Sequence, residues 1–205
     1  MELLITLITI PAFLYSVILH EISHGFVAYL LGDRTAKNMG RLSLNPLRHI
    51  DPFGTILLPV LLLVSTFGRF AFGYAKPVPI NPRYFKHAEK GMMITGAAGP
   101  LSNIAIGSIL GLMVKAGLVT GAAKLIFLNV IFLNFFLALF NLVPVPPLDG
   151  SRILAYFLPG SLKYSYYQLE RFGFLIVFLL LFFARAQLFA FFFTIIMPVL
   201  RFFGY

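Results

Sequence analysis

The 205-residue chain contains no cysteine. That removes disulfides and thiolate metal ligands from consideration and leaves the redox compartment open. Charge is scarce at 11% of residues, and acid is scarcer still, with 7 Asp and Glu against 16 Lys and Arg. Polar stretches long enough for a separate soluble module are missing, so a single domain is expected over residues 1–205. What the chain has in excess is apolar surface: 60% hydrophobic residues, 24 Phe and a mean hydropathy of +0.92. No soluble fold hides that much, and the fold class expected is an all-α polytopic membrane protein. The net charge of +9 invites a nucleic-acid reading. The basic residues are scattered between apolar runs instead of gathered on one polar face, so the expected partner is the lipid bilayer with its anionic headgroups, and no nucleic acid is expected.

Four to six membrane segments are legible. The first helix is expected over Leu3–Leu31, kinked at Pro11 and stopped by Gly32-Asp33-Arg34. It reads as a retained span and not as a cleaved signal, because Glu2 stands where a basic region is expected and no small-residue cleavage site follows. Residues 33–50 are polar and basic. Asp51-Pro52 reads as an N-cap with proline at the first helical position. The apolar run Phe53–Phe67 holds Pro59 and is short for a span, which suits a re-entrant or interfacial element. Phe72–Arg83 (FGYAKPVPINPR) carries three prolines and is expected to be extended. Met92–Leu118, rich in small residues, and Leu125–Val143 are the next spans. Ser151–Arg171 is mixed and partly amphipathic. Phe172–Phe203 is either one tilted helix or a tight pair.

Within the first apolar stretch lies His20-Glu21-Ile22-Ser23-His24, an H-E-x-x-H motif. An ionisable group within a span costs roughly 3 kcal/mol or more on insertion scales, and here three occur in five residues. On an α-helix, positions i and i+4 stand about 40° apart with roughly 6 Å of rise, so both imidazoles can reach one ion. Glu21 is beside them, within reach of a metal-bound water as general base. The motif therefore predicts a zinc hydrolase working within a membrane, with one Zn2+ per chain. A catalytic zinc takes about three protein ligands and keeps one open position. Among the few acids, Asp33 adjoins Arg34, Asp51 reads as a cap, Glu2 is terminal, and Glu89 and Glu170 sit among basic residues. Asp149 remains, at the end of the proline-rich stretch Asn141–Gly150 (NLVPVPPLDG). The alternative for Asp149 is an N-cap for a helix starting near Ser151.

Three elements in order resemble the site-2 protease family of intramembrane zinc metalloproteases: H-E-x-x-H on an early helix, Gly99-Pro100-Leu101-Ser102-Asn103 on a middle one, and N-x-x-P-x-P-P-L-D-G about 120 residues after the first. The resemblance covers about residues 10–160, and the expected core spans about 3–160, with C-terminal membrane segments over 172–203. It implies His20, His24 and Asp149 as zinc ligands and Glu21 as catalytic base. It implies that Asn103 and Asn141 line the substrate groove or help polarise the scissile carbonyl, and it implies a three-helix catalytic core and a short membrane-associated β region at residues 72–82 that aligns substrate. Without room for a PDZ domain, the chain resembles the compact prokaryotic branch. The implied activity is hydrolysis of peptide bonds in or near transmembrane segments of membrane-protein substrates, in regulated intramembrane proteolysis. The alternative is a transporter moving metal ions or protons through the His/Asp cluster.

Basic residues fall between residues 33 and 50 and between 76 and 90. If the short run between them does not cross, both loops lie on the cytoplasmic side under the positive-inside rule. The expected location is a prokaryotic cell membrane, multi-pass, with the active site towards the cytoplasm. Oligomeric state is not legible in the sequence.

Overall fold

The computed structural model describes residues 2–68 and 73–205; residues 69–72, and with them Phe72 of the expected extended segment, lie outside the description. The chain forms α1 (Glu2–Leu30), the short α2 (Pro52–Ser65), α3 (Ala88–Lys115), α4 (Gly121–Leu142), α5 (Asp149–Phe157), α6 (Gly160–Phe183) and α7 (Arg185–Phe202). Among the described residues, five helices are long and apolar enough to cross a membrane: α1 from Leu7 onward, α3, α4, α6 and α7. The polytopic all-α expectation is therefore met.

α1, α3 and α4 pack together as the central group, running in alternating directions. Small residues on α3 allow close approach: Gly107 faces Phe135 of α4 and Gly111 faces Phe203 beyond α7. The largest apolar cluster fills the end formed by the close of α3, the start of α4 and α7. It contains Val114, Val119, Leu128, Ile131, Phe192, Ile196, Leu200 and Phe203. The opposite end of the same three helices holds the buried polar side chains His20, His24, Thr95 and Asp149.

The run 172–203 resolves as a pair. Ala184 closes α6 by donating to Leu180 O and opens α7 by accepting from Leu188 N. Pro198 sits inside α7 without ending it.

Asp51 caps α2 as expected, its carboxylate accepting from Phe53 N and Gly54 N. The chain then doubles back. Tyr74 N donates to Gly54 O at 3.0 Å and Lys76 N to His49 O at 2.9 Å, while Thr55 Oγ1 donates to Tyr74 O. Residues 49 and 76 thus end side by side, and α2 is the turn of a hairpin. Residues 73–81 are extended, held so by Pro77 and Pro79. They form no β-sheet, because the facing stretch 52–57 is coiled into wide helical turns; among the described residues there is no β-strand.

Side chains from α1 and the stretch after it pin this extended segment. Glu21 Oε2 accepts from Val78 N at 2.9 Å, and Asp33 Oδ2 accepts from Asn81 N at 2.6 Å. Arg41, itself buried, donates to Lys76 O at 2.7 Å and to Pro77 O at 3.3 Å.

Candidate metal centre

His24 lies six residues before the end of α1, and Thr95 seven residues after the start of α3. At 1.5 Å per residue each is about 10 Å in from its helix end. Asp149 arrives at the same level from α4, through the proline-rich 143–148 stretch. Gly150 makes this approach possible: a Cβ there would strike the backbone of Leu142 and Val143. α5 starts at Asp149, and its N-cap, Leu148, offers no side-chain cap. The Asp149 carboxylate does not cap a helix; it is buried and turned towards the two histidines.

The three groups meet closely. His20 Nε2 to Asp149 Oδ2 is 3.1 Å, His24 Nε2 to Asp149 Oδ2 is 3.2 Å, and the two Nε2 atoms are 3.1 Å apart. A tetrahedral ion with bonds of about 2.05 Å has ligand–ligand edges of about 3.35 Å. The triangle is therefore a slightly contracted face of such a site.

The hydrogen bonds behind the rings decide what faces inward. His20 Nδ1 lies 2.6 Å from Asn103 Oδ1, and the Asn103 amide nitrogen donates to Asn134 Oδ1 and Ser16 O. Its oxygen is thus the atom facing His20, and His20 Nδ1 must donate. His24 Nδ1 donates to the Thr95 carbonyl at 2.7 Å. With both Nδ1 atoms protonated, the neutral rings turn lone pairs inward from Nε2, towards a carboxylate oxygen that only accepts. In that tautomer all three inward atoms are acceptors, an arrangement that a bound cation satisfies. The remaining space is kept by Gly99, where an added Cβ would run into both Nε2 atoms. Donor chemistry, spacing and the clearance at Gly99 all fit a zinc-type ion. Among the described residues this is the one cluster of three potential metal ligands.

A cavity of about 280 Å3 opens beside His20 and Glu21. Phe13 and Val17 of α1, Leu137, Phe140 and Asn141 of α4, Phe174 and Val177 of α6, and residues 73–75 line it. Tyr74 and Phe174 meet edge to face across it, with ring centroids 6.2 Å apart. Glu21 does not join the triangle; one carboxylate oxygen is held by Val78 N, and the other has no partner among the described residues.

Of the residues expected at the site, His20, His24 and Asp149 are brought together, Glu21 stands at the cavity beside them, and Asn141 lines that cavity. Asn103 differs from expectation. It is 0% exposed, lies behind His20 and is not part of the cavity wall, because its amide is consumed by His20, Asn134 and Ser16. Sequence reading missed Ser16, Asn134, Val78 and the clearance at Gly99. Two of these carried a signal. Ser16, His20 and His24 recur at four-residue intervals, and Asn134 stands seven residues before Asn141, so each set shares one helix face.

Comparison with known proteins agrees with this geometry. The profile of Peptidase family M50 matches residues 106–184, a stretch that contains Asp149 but not the H-E-x-x-H motif. The candidate zinc metalloprotease YwhC of Bacillus subtilis is 43% identical over 173 residues, covering 80% of this chain and 74% of that protein. The candidate zinc metalloproteases Rip2 of Mycolicibacterium smegmatis and Mycobacterium tuberculosis strain H37Rv are 30% and 29% identical, over 85% and 91% of this chain and 66% and 70% of theirs. No solved structure matches significantly. The transporter alternative is not favoured by any of these relatives. With its extent of identity to a relative of similar length, and its buried His–His–Asp face, the chain belongs to peptidase family M50, the site-2 proteases.

Proposed function

We propose that the protein is an intramembrane zinc metalloprotease that hydrolyses peptide bonds in or near transmembrane segments of other membrane proteins. The convergence of two Nε2 lone pairs and a carboxylate on one point, each ring oriented from behind, is the observation that carries this reading. His20, His24 and Asp149 would hold one zinc ion. When bound, the ion supplies a Lewis acid that lowers the pKa of a coordinated water towards about 7 and polarises a carbonyl.

The other roles fall to the chain itself. Glu21 has one oxygen anchored by Val78 N and one free, so it can take the water's proton and pass it to the leaving amine without swinging away. Asn141 spends one amide hydrogen on Leu137 O and keeps another for a substrate carbonyl. Residues 73–75 supply an edge. Tyr74 and Lys76 turn their N–H groups to residues 54 and 49, so Ala75 between them turns its N–H and C=O the other way, where they have no partner among the described residues. An unwound substrate segment paired with Ala75 would lie across the cavity beside Glu21. A substrate helix must unwind to do so, which favours segments containing Gly, Asn or Pro, already about 1 to 3 kcal/mol poorer in helix propensity. The basic loops at 33–50 and 76–90, joined by a hairpin that returns to its starting side, support an active site facing the cytoplasm.

The test separates ligands from base. In purified full-length protein, Asp149→Ala should lose both zinc and cleavage of a model membrane substrate. Glu21→Gln should keep about one zinc per chain while cleavage falls about 10²–10⁴-fold. Near-normal turnover by Glu21→Gln would overturn the mechanism. For orientation, single cysteines at Lys86 and Gly121 should label from opposite sides of the membrane, the first from the cytoplasm.

A further inference from the structure

The hydrogen bonds behind His20 continue past Asn103 into a chain that crosses three helices. Asn103 of α3 donates through Nδ2 to Asn134 Oδ1 of α4 at 3.0 Å. Asn134 Nδ2 donates to Val130 O at 2.8 Å and to Ser16 Oγ of α1 at 3.0 Å. Ser16 Oγ donates in turn to Ala12 O at 3.1 Å. Asn103 and Asn134 are both 0% exposed, and Ser16 is 3% exposed.

Every member has one direction available. The Ala12 and Val130 carbonyls can only accept, so Ser16 must donate to one and the Asn134 nitrogen to the other. Asn134 is then left presenting its oxygen to Asn103, whose nitrogen must answer it. That leaves the Asn103 oxygen, and no donor, facing His20 Nδ1. Flipping either amide would set donor against donor or acceptor against acceptor in a dry interior, where an unmatched polar group costs about 1–3 kcal/mol.

We propose that Asn134 and Ser16 are positioning residues of the metal centre: together with Asn103 they form a one-way hydrogen-bond relay that fixes the His20 tautomer, so that Nε2 always offers its lone pair to the ion. The inference rests on His20 being a zinc ligand. The relay runs from the Ala12, Val130 and Ser16 backbone carbonyls to Nδ1, and it ties α1, α3 and α4 together at the depth of the site. Asn134 touches neither the ion nor the cavity, yet with the Ser16 carbonyl, which accepts from the same Asn103 nitrogen at 3.4 Å, it sets which atom Asn103 shows to His20.

The experiment measures zinc affinity of the detergent-solubilised full chain by competition with a chromophoric chelator, together with the visible spectrum of the Co2+-loaded protein. Asn134→Leu keeps the volume and removes both directions of the relay; zinc binding should weaken about 10-fold or more, within the range for lost outer-shell partners. Its Co2+ bands should change. Asn134→Asp is the rescue. A carboxyl buried among these helices is neutral, and its O–H can donate where the amide did while the carbonyl still accepts from Asn103. Its affinity should stay close to wild type. Ser16→Ala should weaken binding less than Asn134→Leu, because Val130 O still holds the Asn134 nitrogen. Asn129→Leu is the control: Asn129 lies on the same helix, is exposed, and its side chain bonds only Leu125 O among the described residues, so affinity and spectrum should not move.

Unchanged zinc affinity and Co2+ spectrum in folded Asn134→Leu would overturn the relay. So would equal weakening in Asn134→Asp and Asn134→Leu, which would assign the effect to packing. If Asn134→Leu does not fold, Ser16→Ala and Asn134→Asp against Asn129→Leu decide the matter: wild-type affinity in Ser16→Ala, or an Asn134→Asp protein as weak as a His20→Ala protein, refutes the relay. Retention of zinc by His20→Ala would instead refute the ligand assignment beneath it.

Discussion

The two sides of His20 and Glu21 are built in opposite ways. Behind the histidines the polar groups that orient the rings are buried, paired and drawn from helices: Asn103, Asn134, Ser16 and the Thr95 carbonyl. In front of Glu21, the segment 73–81 is extended, proline-stiffened and held by two backbone bonds and the side chains of Glu21, Asp33 and Arg41, and Ala75 keeps backbone groups without a partner among the described residues. Helices satisfy their own backbone, so their side-chain amides are free to orient ligands. An extended chain leaves its backbone unspent and needs pins, and what is left unspent can bind another chain. The rear wall is therefore suited to fixing an ion, and the front wall to receiving a substrate. If that division is right, mutations on the two sides give different signatures.

The largest effect is expected where the rear wall meets the ion. Gly99→Ala sets a methyl against both Nε2 atoms. Zinc content in purified protein should fall, with affinity reduced about 10- to 100-fold and cleavage lost in proportion. Full zinc occupancy with normal turnover would show that α3 can retreat from the site and that the clearance is not required.

Ala75→Pro probes the front wall. It removes the Ala75 N–H while suiting an extended backbone. Cleavage should drop about 10-fold, roughly the weight of one net hydrogen bond, with bound zinc unchanged. Proline at Val78 would be a different experiment, because it also releases Glu21. Loss of zinc in Ala75→Pro would erase the proposed separation of the two walls.

The smallest effect concerns the far end of the front wall. Burial works against charge on Asp33, but hydrogen bonds from Thr35 and the Asn81 N–H outweigh it and hold the carboxyl below its usual range. A depressed folded-state pKa contributes stability above the unfolded value of about 3.9, and that stability is lost as pH falls through the folded value. Asp33→Asn should lower the apparent melting temperature by several degrees at neutral pH, about 1.5–3 kcal/mol for a charged hydrogen bond. The gap to wild type should close below about pH 4. A gap independent of pH would mean that the carboxylate charge is not what pins Asn81.

Much of the site was readable before any folding. An H-E-x-x-H within an apolar run and a lone Asp after a proline-rich break are conspicuous because charge in such sequence is costly. Their helical spacing and the break are local properties. The spans were equally plain, since length and hydropathy are summed along the chain. For 172–203 the sequence left one tilted helix and a tight pair both open, and only the bonds at Ala184 separate the two helices.

Sequence alone determined the membrane class, the candidate metal-ligating residue types and the candidate general base, because each follows from composition or from neighbours within a few positions. Tertiary structure decided that Asn103 stands behind His20 and not in the groove, that Gly99 is the clearance in front of the ligands, that Glu21 is tied to Val78, and that 49 and 76 lie side by side. Those facts depend on which helices meet, at what depth and in what register. Hydrogen-bond partners 83, 118 or 129 residues apart leave no periodicity in a single chain; they become visible only when the helices carrying them are packed.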